Sequence, residues 1–416
     1  MSLRTLQTCS ISFFLSPWIC TICCSFLYIF IFLNLHQSVF SSTNFAYYTL
    51  LTDAFLHGRT YIFPQGNTFD LSLFEGKWYL YWGASPVLFI LPFFLIGHGF
   101  QSDIFYTLVA GILNIFVFTL VIKEFLTFTK LSLSPFLWWV ILVSFAFASP
   151  NFTLSLGGRI WHTGQIISLL YLLIFLFFFF RFLNRKKVFL LLPMLFFFNL
   201  AWLGRLPLIL YGVLFFYLLK KNCGIPKKYI VAIIFAGLFA GGLFFGWYNN
   251  ERFKSPSETG AHFQQGHTRY QNDTISGTFL SSKNILHNAR YYFIESPFSF
   301  PPPAISFNPE GTSIFFVYPV TLFFLFSLLK KGRSLIFQGL LLTIYVVLIL
   351  LMLFLLLFIG TGWYQFGSRY FFDLIPLIFL CAVPAIQKSP RSLLYVFLYY
   401  EILISVFGAV LFYTPK

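Results

Sequence analysis

Charge is the scarcest property of this sequence. Only 9% of its 416 residues are Asp, Glu, Lys or Arg, and just 12 residues are acidic, whereas an ordinary soluble domain carries about 25% charged residues. This shortage excludes a soluble protein of usual composition. In its place, 58% of the residues are hydrophobic, and they form runs of about 20 residues, the length that crosses a hydrocarbon core. The sequence therefore predicts an all-α polytopic membrane protein.

Cysteine and clustered metal ligands are also scarce. Of the six cysteines, four lie in or near the first apolar run and none lies in the loops that we assign to the outer face. This distribution excludes a disulfide framework, and no spacing of ligand residues indicates a metal. The net charge is +15, but we expect no nucleic-acid partner because basic residues also accumulate in cytoplasmic loops of membrane proteins.

The long apolar runs predict about eleven transmembrane helices. The first run, residues 11–35, follows Arg4 without a small-residue cleavage site, so we expect a retained span instead of a signal peptide. The other candidate spans lie at 103–122, 134–149, 165–183, 188–203, 206–219, 229–247, 313–329, 335–359, 369–387 and 392–412.

The basic residues predict the orientation of these spans. With a cytoplasmic N-terminus, 16 basic residues and a single acid, Glu124, fall in cytoplasmic segments, as the positive-inside rule requires. A further crossing at residues 78–100 would reverse that pattern. Pro86 and Pro92 leave only about 13 clean apolar residues there, so we expect an interfacial or re-entrant segment. A twelve-span arrangement with the N-terminus outside stays open.

This topology divides the chain into three parts. They are a transmembrane module at 1–247 with an outer loop at 36–102, a second outer loop at 248–312, and C-terminal helices at 313–416. Ten of the 12 acidic residues fall in outer segments or in adjacent span ends. Charges that gather on one side of a nearly charge-free chain indicate a site there.

Several outer cations suit a bound phosphate. Arg159, Arg205 and Arg369 lie in short outer turns, and arginine can hold a phosphate by two parallel hydrogen bonds. Arg205 is the sole charge between two short apolar runs, so it needs an anion, either a protein carboxylate or a bound phosphate. The remaining candidate binding residues of the outer segments are Lys77, His57, Arg59, His162 and Glu75.

The outer acids suit proton transfer. Asp53, Asp70 or Glu75 could accept the proton of a hydroxyl as that hydroxyl attacks a substrate. Simpler interpretations exist for each residue type: a loop carboxylate is often only solvated, a histidine often packs at a surface, and an arginine at the end of a span often reaches to lipid headgroups.

Several phrases resemble the GT-C superfamily of membrane glycosyltransferases. TDAFLHGRTYI resembles the first-loop pattern of that superfamily, LYWGASPVLFILPFFLIG its following interfacial segment, and GGRIWHTGQ its second outer loop. A nearer likeness is to bacterial integral membrane proteins of that type with phrases such as DLSLYDGKYYLYFGP and YNYLRFGSP, which DLSLFEGKWYLYWGASP and WYNNERFKSP match here. The likeness covers roughly residues 1–260.

The resemblance implies a GT-C-like fold in a bacterial inner membrane. It also implies inverting transfer of a sugar from a polyprenyl phosphate to a glycan, lipid or protein acceptor on the outer face. Members usually carry an acidic pair some ten residues before the glycine, where this chain has SSTNFAYY at 41–48. Asp53 or Asp70 is therefore expected to act as the base, and Asp70 is preferred because it opens the shared DLS phrase. A divalent metal assists some members and is left open here as a cofactor.

Other functions stay open at this stage. The chain could be a transporter or a lipid-handling protein, an inactive relative that binds the same lipid, or a ligase that uses lipid diphosphates. Transport requires ionisable groups near the bilayer midplane and a route to both faces. Glu401 is the one such group that stands out within the predicted spans, and this favours a site that is open to one side.

Overall fold

The computed structural model of the protein describes residues 16–35, 38–97, 99, 102–221, 225–266, 276, 278–299, 304–305, 308–327, 335–363 and 365–413. Its α-helices are α1 (Pro17–Leu35), α2 (Tyr47–Leu56), α3 (Pro86–Ile96), α4 (Asp103–Thr129), α5 (Pro135–Phe147), α6 (Pro150–Ser155), α7 (Ile160–Arg185), α8 (Leu191–Gly204), α9 (Leu214–Lys220), α10 (Lys227–Phe253), α11 (Ile285–Ala289), α12 (Ile314–Val317), α13 (Phe323–Phe326), α14 (Leu335–Leu357), α15 (Ile375–Ile386) and α16 (Arg391–Tyr413). The strands are β1 (Leu71–Phe74), β2 (Lys77–Tyr79), β3 (Gln264–Gln265), β4 (Phe298–Ser299) and β5 (Ala304–Ile305).

Short 3₁₀ helices and one π-helical turn join these elements. The 3₁₀ helices are Val188–Leu190, Leu206–Val213, Ala261–Phe263, Ser282–Asn284, Pro319–Leu322 and Arg369–Asp373, and the π-helical turn is Arg290–Ile294.

The predicted all-α polytopic membrane protein is confirmed. Within the described ranges, 6 helices are long and apolar enough to span a membrane, namely α1, α4, α7, α10, α14 and α16. Shorter apolar helices match four more of the predicted spans, at Pro135–Phe147, Val188–Gly204, Leu206–Lys220 and Ile375–Ile386. The number of crossings stays a prediction.

The predicted span at 313–329 differs from the expectation of a continuous helix. Its described part consists of α12, the 3₁₀ helix Pro319–Leu322 and α13. Pro319 lacks an N–H and clashes with a preceding turn, so it interrupts the helix. The buried carboxylate of Glu401 compensates for this break because it accepts the freed N–H of Val320, and it also accepts the Ser144 hydroxyl at 3.1 Å. Glu401, the ionisable group noted within the predicted spans, thus accepts a backbone N–H at the point where the helix is interrupted.

Helices α4 and α7 form the centre of the bundle. They make the most extensive helix–helix contact of the described chain, and polar side chains join them inside it. The Thr107 and Thr163 hydroxyls lie 2.6 Å apart, and Asn114 donates to the Ile166 carbonyl at 3.2 Å. Between apolar helices in a membrane, where packing alone gives little specificity, such hydrogen bonds fix the register of neighbouring spans.

The stretch DLSLFEGKWYLYWGASPVLFILP of the first loop forms a β-hairpin followed by a short helix. Strands β1 and β2 pair antiparallel around Glu75 and Gly76, whose φ angles of 47° and 73° are those of the tight turns that match strand twist. Helix α3 has 11 residues, about 16 Å, so it is too short to cross a 30 Å core alone. This length agrees with the predicted interfacial or re-entrant segment.

The first loop packs against the chain where α8 ends and the 3₁₀ helix Leu206–Val213 begins. A Cβ at Gly83 would lie 1.8 Å from the Leu203 carbonyl oxygen, so only glycine permits this close approach. The Ser85 hydroxyl donates to the Leu200 carbonyl at 2.6 Å. The YWGAS segment of the first loop (residues 81–85) therefore packs where α8 ends at the GRLP segment (residues 204–207).

The two ends of the bundle differ in charge. At the basic end, Glu124 of α4 binds Arg181 of α7 at 3.0 Å, and Gln387 after α15 donates to the Ser132 carbonyl at 2.8 Å. These contacts gather the connections that carry Lys123, Lys130, Arg181, Arg185, Lys186, Lys187, Lys388 and Arg391. The starts of α4 and α7 and the two long loops lie at the opposite end of the bundle, which we call the cavity end after the cavity described below. The predicted basic residues at 330–333 lie outside the described residues.

Candidate functional site

A cavity of about 900 Å³ lies at the cavity end of the bundle. Five parts of the chain line it: the first loop from Phe45 to Gly83, the start of α7, residues 204–207 at the GRLP break, the second loop at 257–280, and the segment 354–370. These parts are far apart in sequence. The site is therefore assembled by the fold and not by one local motif.

Asp70 lines the cavity at the entrance to strand β1. Its carboxylate accepts the Trp161 indole N–H at 2.7 Å and the Gln264 amide at 2.5 Å. Its backbone has a φ of 64°, a left-handed conformation that Asp tolerates better than most residues. Asp70 is 7% exposed, so the fold holds this carboxylate in one orientation against the cavity.

The pairing of two distant loops holds Asp70 in place. Strand β3 of the second loop pairs antiparallel with β1, with Leu71 opposite Gln265, and the Asp70 N–H donates to the Gln265 carbonyl at 2.7 Å. Next to this sheet, the Tyr81 hydroxyl lies 3.1 Å from the Gln264 amide nitrogen. Burial raises the pKa of Tyr81 well above its ordinary value, so the phenol stays neutral at physiological pH.

Arg369 also lines the cavity, and one of its hydrogen-bond donors is unused. Its side chain is buried, since the residue is 4% exposed, yet its Nε has no hydrogen-bond partner. No carboxylate of the described residues pairs with it. Gly362 packs against the guanidinium, and a Cβ there would lie 2.9 Å from Nε. A buried cation in this condition favours a bound anion.

Arg159 is the residue directly before α7, and it lines the cavity. Its backbone has a φ of 105°, and its N–H donates to the Asp103 carboxylate at 2.9 Å. Gly158 packs against the same carboxylate, where a Cβ would lie 2.6 Å away. Asp103 also accepts the backbone N–H and the hydroxyl of Thr43. The SSTNFAYY segment without acids is thus anchored to a carboxylate at the start of α4.

Arg205 meets its anion within the protein. Its Nε lies 2.6 Å and 2.7 Å from the two carboxylate oxygens of Asp373, and its guanidinium lies 4.9 Å from the centre of the Tyr370 ring. The two charged side chains are only 9% and 4% exposed. Of the two anions considered from sequence, the structure supplies a protein carboxylate, while Arg205 still contributes to the cavity wall.

A second acidic group of the cavity was not identified from the sequence. Glu258 and His262 both line the cavity, and their Oε2 and Nδ1 atoms lie 2.5 Å apart. Glu258 also accepts the Gly260 N–H at 2.6 Å. Their spacing of four residues is a weak signal in a sequence, because the segment is not a regular helix.

Other predicted site residues lie away from the cavity. Asp53 binds Arg59 at 3.1 Å and lies 3.4 Å from His57 in a largely exposed cluster on the first loop. Glu75 and Lys77 are exposed at the hairpin turn. None of these five residues lines the cavity.

His162 lies behind the cavity. The residue is 2% exposed, and its Nδ1 lies 3.2 Å from the Gly157 carbonyl oxygen. Four of the predicted residues, Asp70, Arg159, Arg205 and Arg369, therefore share the cavity. Within the part of the chain that the structure describes, no group of three or more His, Cys, Asp or Glu side chains is arranged to hold a metal ion.

Comparison with known proteins gives one likeness in fold. The chain is similar to the crystal structure of the Archaeoglobus fulgidus oligosaccharyltransferase in the apo form, with a TM-score of 0.52 and 14% sequence identity over 95% of this chain and 55% of that chain. The chain thus spans about half the length of that enzyme. No protein-family model and no curated protein sequence matches the chain. The likeness shows that the chain has a fold similar to that of this oligosaccharyltransferase.

Proposed function

We propose that the protein is a membrane glycosyltransferase that moves a sugar from a polyprenyl-phosphate donor to a hydroxyl of a glycan, lipid or protein acceptor. The observation that carries this proposal is the buried, unbonded Nε of Arg369 on the wall of a cavity of about 900 Å³ that Asp70 also lines. A buried cation without a counter-ion favours an anionic ligand, and the fold similarity to an oligosaccharyltransferase supports a sugar-linked one.

The donor phosphate is assigned to Arg369 and Arg159. Both arginines line the cavity, and a guanidinium presents five N–H donors in a fixed plane that suits phosphate oxygens. Arg205 has its Nε bonded to Asp373, so we assign it a positioning role. Its guanidinium packs against the ring of Tyr370, which it holds in the cavity wall.

The transfer step requires one base and one leaving group. The acceptor hydroxyl attacks the anomeric carbon, the bond from that carbon to the phosphate oxygen breaks, and the lipid phosphate departs with the bonding electron pair. Asp70 takes the proton of the hydroxyl, and the arginines stabilise the charge that develops on the phosphate. The configuration at the anomeric carbon of the sugar is inverted, and no covalent enzyme intermediate forms.

Asp70 suits the base better than Asp53 for a geometric reason. Asp70 lines the cavity and is oriented by Trp161 and Gln264. Asp53 is 44% exposed and bound to Arg59 outside it. The proposal assigns no role to a metal, since each step uses groups that the cavity walls already carry.

The lipid part of the donor is assigned to the apolar wall. Leu206, Leu280, Phe354 and Phe358 line the cavity next to the polar groups, and several of these residues sit where α14 and the GRLP break adjoin. A polyprenyl chain is apolar throughout, so contact with these side chains removes it from water favourably.

The cavity is proposed to open to the outer side of a bacterial inner membrane, with the N-terminus in the cytoplasm. The support is the gathering of basic residues at the basic end, which the positive-inside rule assigns to the cytoplasm. Cysteines introduced at Glu75 and Lys283 test this orientation. Both cysteines should react with an impermeant reagent in intact cells. Labelling only after lysis would show the opposite orientation of the chain.

The test of the function compares lipid-linked glycans by mass spectrometry in cells with and without the protein. We expect a mass difference of one sugar residue. Arg369→Gln should reduce that product by about 100-fold or more, the size expected when a donor that stabilises charge in the transition state is lost.

Arg181→Gln is the matched control, because it removes an arginine at the basic end while membrane insertion is measured in parallel. It should leave the product unchanged. Equal product from wild type and Arg369→Gln would remove the assigned phosphate site, and no mass difference in any glycan or lipid pool would refute sugar transfer itself.

A further inference from the structure

A second, smaller pocket opens beside the main cavity. Its volume is about 40 Å³, room for about three water-sized groups, since one water needs about 10–15 Å³. This side pocket is lined by Tyr81, Gly83, Leu203, Tyr248, Asn249 and Arg252, among others. It shares Tyr81 and Gly83 with the main cavity, so the two spaces adjoin.

Arg252 gives the side pocket a buried positive charge. The residue is 3% exposed and no described carboxylate pairs with it. Its guanidinium donates to the Leu80 and Tyr248 carbonyls and to the Asn249 amide oxygen. These three bonds use three of its five N–H groups, which leaves two donors. All three acceptors are neutral, so the charge has no counter-ion among them.

Tyr248 provides a second donor without a partner. The residue is 4% exposed, and its hydroxyl has no hydrogen-bond partner. Its ring centre lies 3.9 Å from the guanidinium carbon of Arg252, one helical turn further along α10. Of the acids near Arg252 in the sequence, Glu251 is exposed, and Glu258 is bonded to Gly260 and His262 instead.

We propose that the side pocket binds a compact monoanion, of the size of a carboxylate group, between the Arg252 guanidinium and the Tyr248 hydroxyl. A carboxylate or a halide ion fits the volume, satisfies the unused donors and supplies the missing negative charge. The anion is either a free ion or the carboxylate of a larger ligand that occupies the main cavity. The proposal does not depend on whether a sugar is transferred.

The test uses the full chain purified in detergent. Its thermal unfolding is measured in sodium formate, sodium bromide and sodium methanesulfonate at equal ionic strength, because a ligand that binds only the folded state raises the unfolding temperature. Formate or bromide should raise the midpoint by about 2 °C or more over methanesulfonate. No difference among the three salts would overturn the proposal and leave a pocket filled by water.

The key variant is Tyr248→Phe, which removes the hydroxyl and keeps the ring beside Arg252. It should lose most of the anion-dependent shift. The control is Tyr292→Phe, since Tyr292 is also fully buried with an unbonded hydroxyl but does not line the side pocket. It should keep the shift. A shift in Tyr248→Phe as large as in wild type would overturn the proposal.

Sodium glucuronate, compared with glucose, distinguishes the two sources of the anion. Stabilisation by formate but not by glucuronate assigns the pocket to a free ion. Stabilisation by glucuronate at a lower concentration than formate assigns it to a carboxylate carried on a sugar, because further contacts in the main cavity would then add to the affinity. Both results support the site, and both should be weakened by Tyr248→Phe.

Discussion

The two ends of the helix bundle use charge in different ways. At the basic end, Glu124 is the only acid among many cations in the described part of the chain, and the side chain of its partner Arg181 is 34% exposed. At the cavity end, Arg205 and Asp373 are almost fully buried against each other, and Arg369 is buried with an unused donor. Charges at the first end are numerous and partly exposed, and the proposed orientation of the chain in the membrane depends on all of them together. Charges at the second act individually, so single substitutions there have large effects.

Asp70→Asn should have the largest effect on transfer. Loss of a general base typically costs about 10² to 10⁴ in rate, and asparagine keeps the shape of the side chain while it cannot take the proton. The measurement is sugar transfer in membranes that contain equal amounts of folded protein. Glu251→Gln, an exposed change beyond the cavity, is the control. Asp53→Asn is the rival test: if it abolishes transfer while Asp70→Asn does not, the assigned base is wrong.

Asp373→Asn should have the largest effect on stability. It leaves the buried Arg205 guanidinium without its anion, which costs about 3 to 5 kcal/mol in comparable buried pairs. The measurement is the free energy of unfolding, or the thermal midpoint, in detergent. The double variant Arg205→Met, Asp373→Leu should recover much of the loss because no uncompensated charge remains. A double variant that is less stable than Asp373→Asn would show that the pair itself, and not its compensation, stabilises the fold.

Glu401→Met should destabilise the bundle by about 1 to 3 kcal/mol, because the Val320 N–H then lacks an acceptor in a buried site. Thermal unfolding checks this, with Glu251→Met as a control at an exposed position. Unchanged stability would mean that another group or a water molecule accepts this N–H. Because Glu401 lies outside the cavity lining, the protein that remains folded should transfer sugar at the wild-type rate.

Glu124→Gln should have the smallest effect. A partly exposed ion pair contributes about 0.2 to 1 kcal/mol, and the Asn184 amide can still donate to the glutamine oxygen in place of its present 2.7 Å bond to Glu124. We expect a small drop in unfolding temperature, which high salt reduces further, and no change in transfer. A large loss of transfer would contradict the division of roles between the two ends.

The membrane class and most spans could be predicted because each depends on local composition. An apolar run of about 20 residues has few alternatives to a buried helix. The span at 313–329 shows where this reasoning fails. Its hydropathy suits a continuous helix, but Pro319 breaks it, and the break is tolerated because Glu401, 81 residues further along the chain, satisfies Val320.

The candidate site was predictable only in part, because its contacts join distant residues. The isolation of Arg205 indicated that it needs an anion, but Asp373 lies 168 residues away and could not be identified as that partner. Asp70 was recognised from a shared phrase, whereas Gln264, 194 residues away, had no local signal. Arg252 and Tyr248 belong to the WYNNERFKSP segment, but nothing in the sequence indicated a pocket there. Their environment depends on how the first loop packs on α10.

The pairing of β1 with β3 sets an order of events during synthesis. The hairpin that carries Asp70 leaves the ribosome well before Gln264 and Gln265, its partners in the three-stranded sheet. At about 5 to 20 residues per second, this interval lasts on the order of ten seconds or more. During that time helices α4 to α10 emerge while the hairpin has no third strand. The cavity is therefore absent from every nascent chain that ends before residue 265, and it is completed only after most of the bundle has been made.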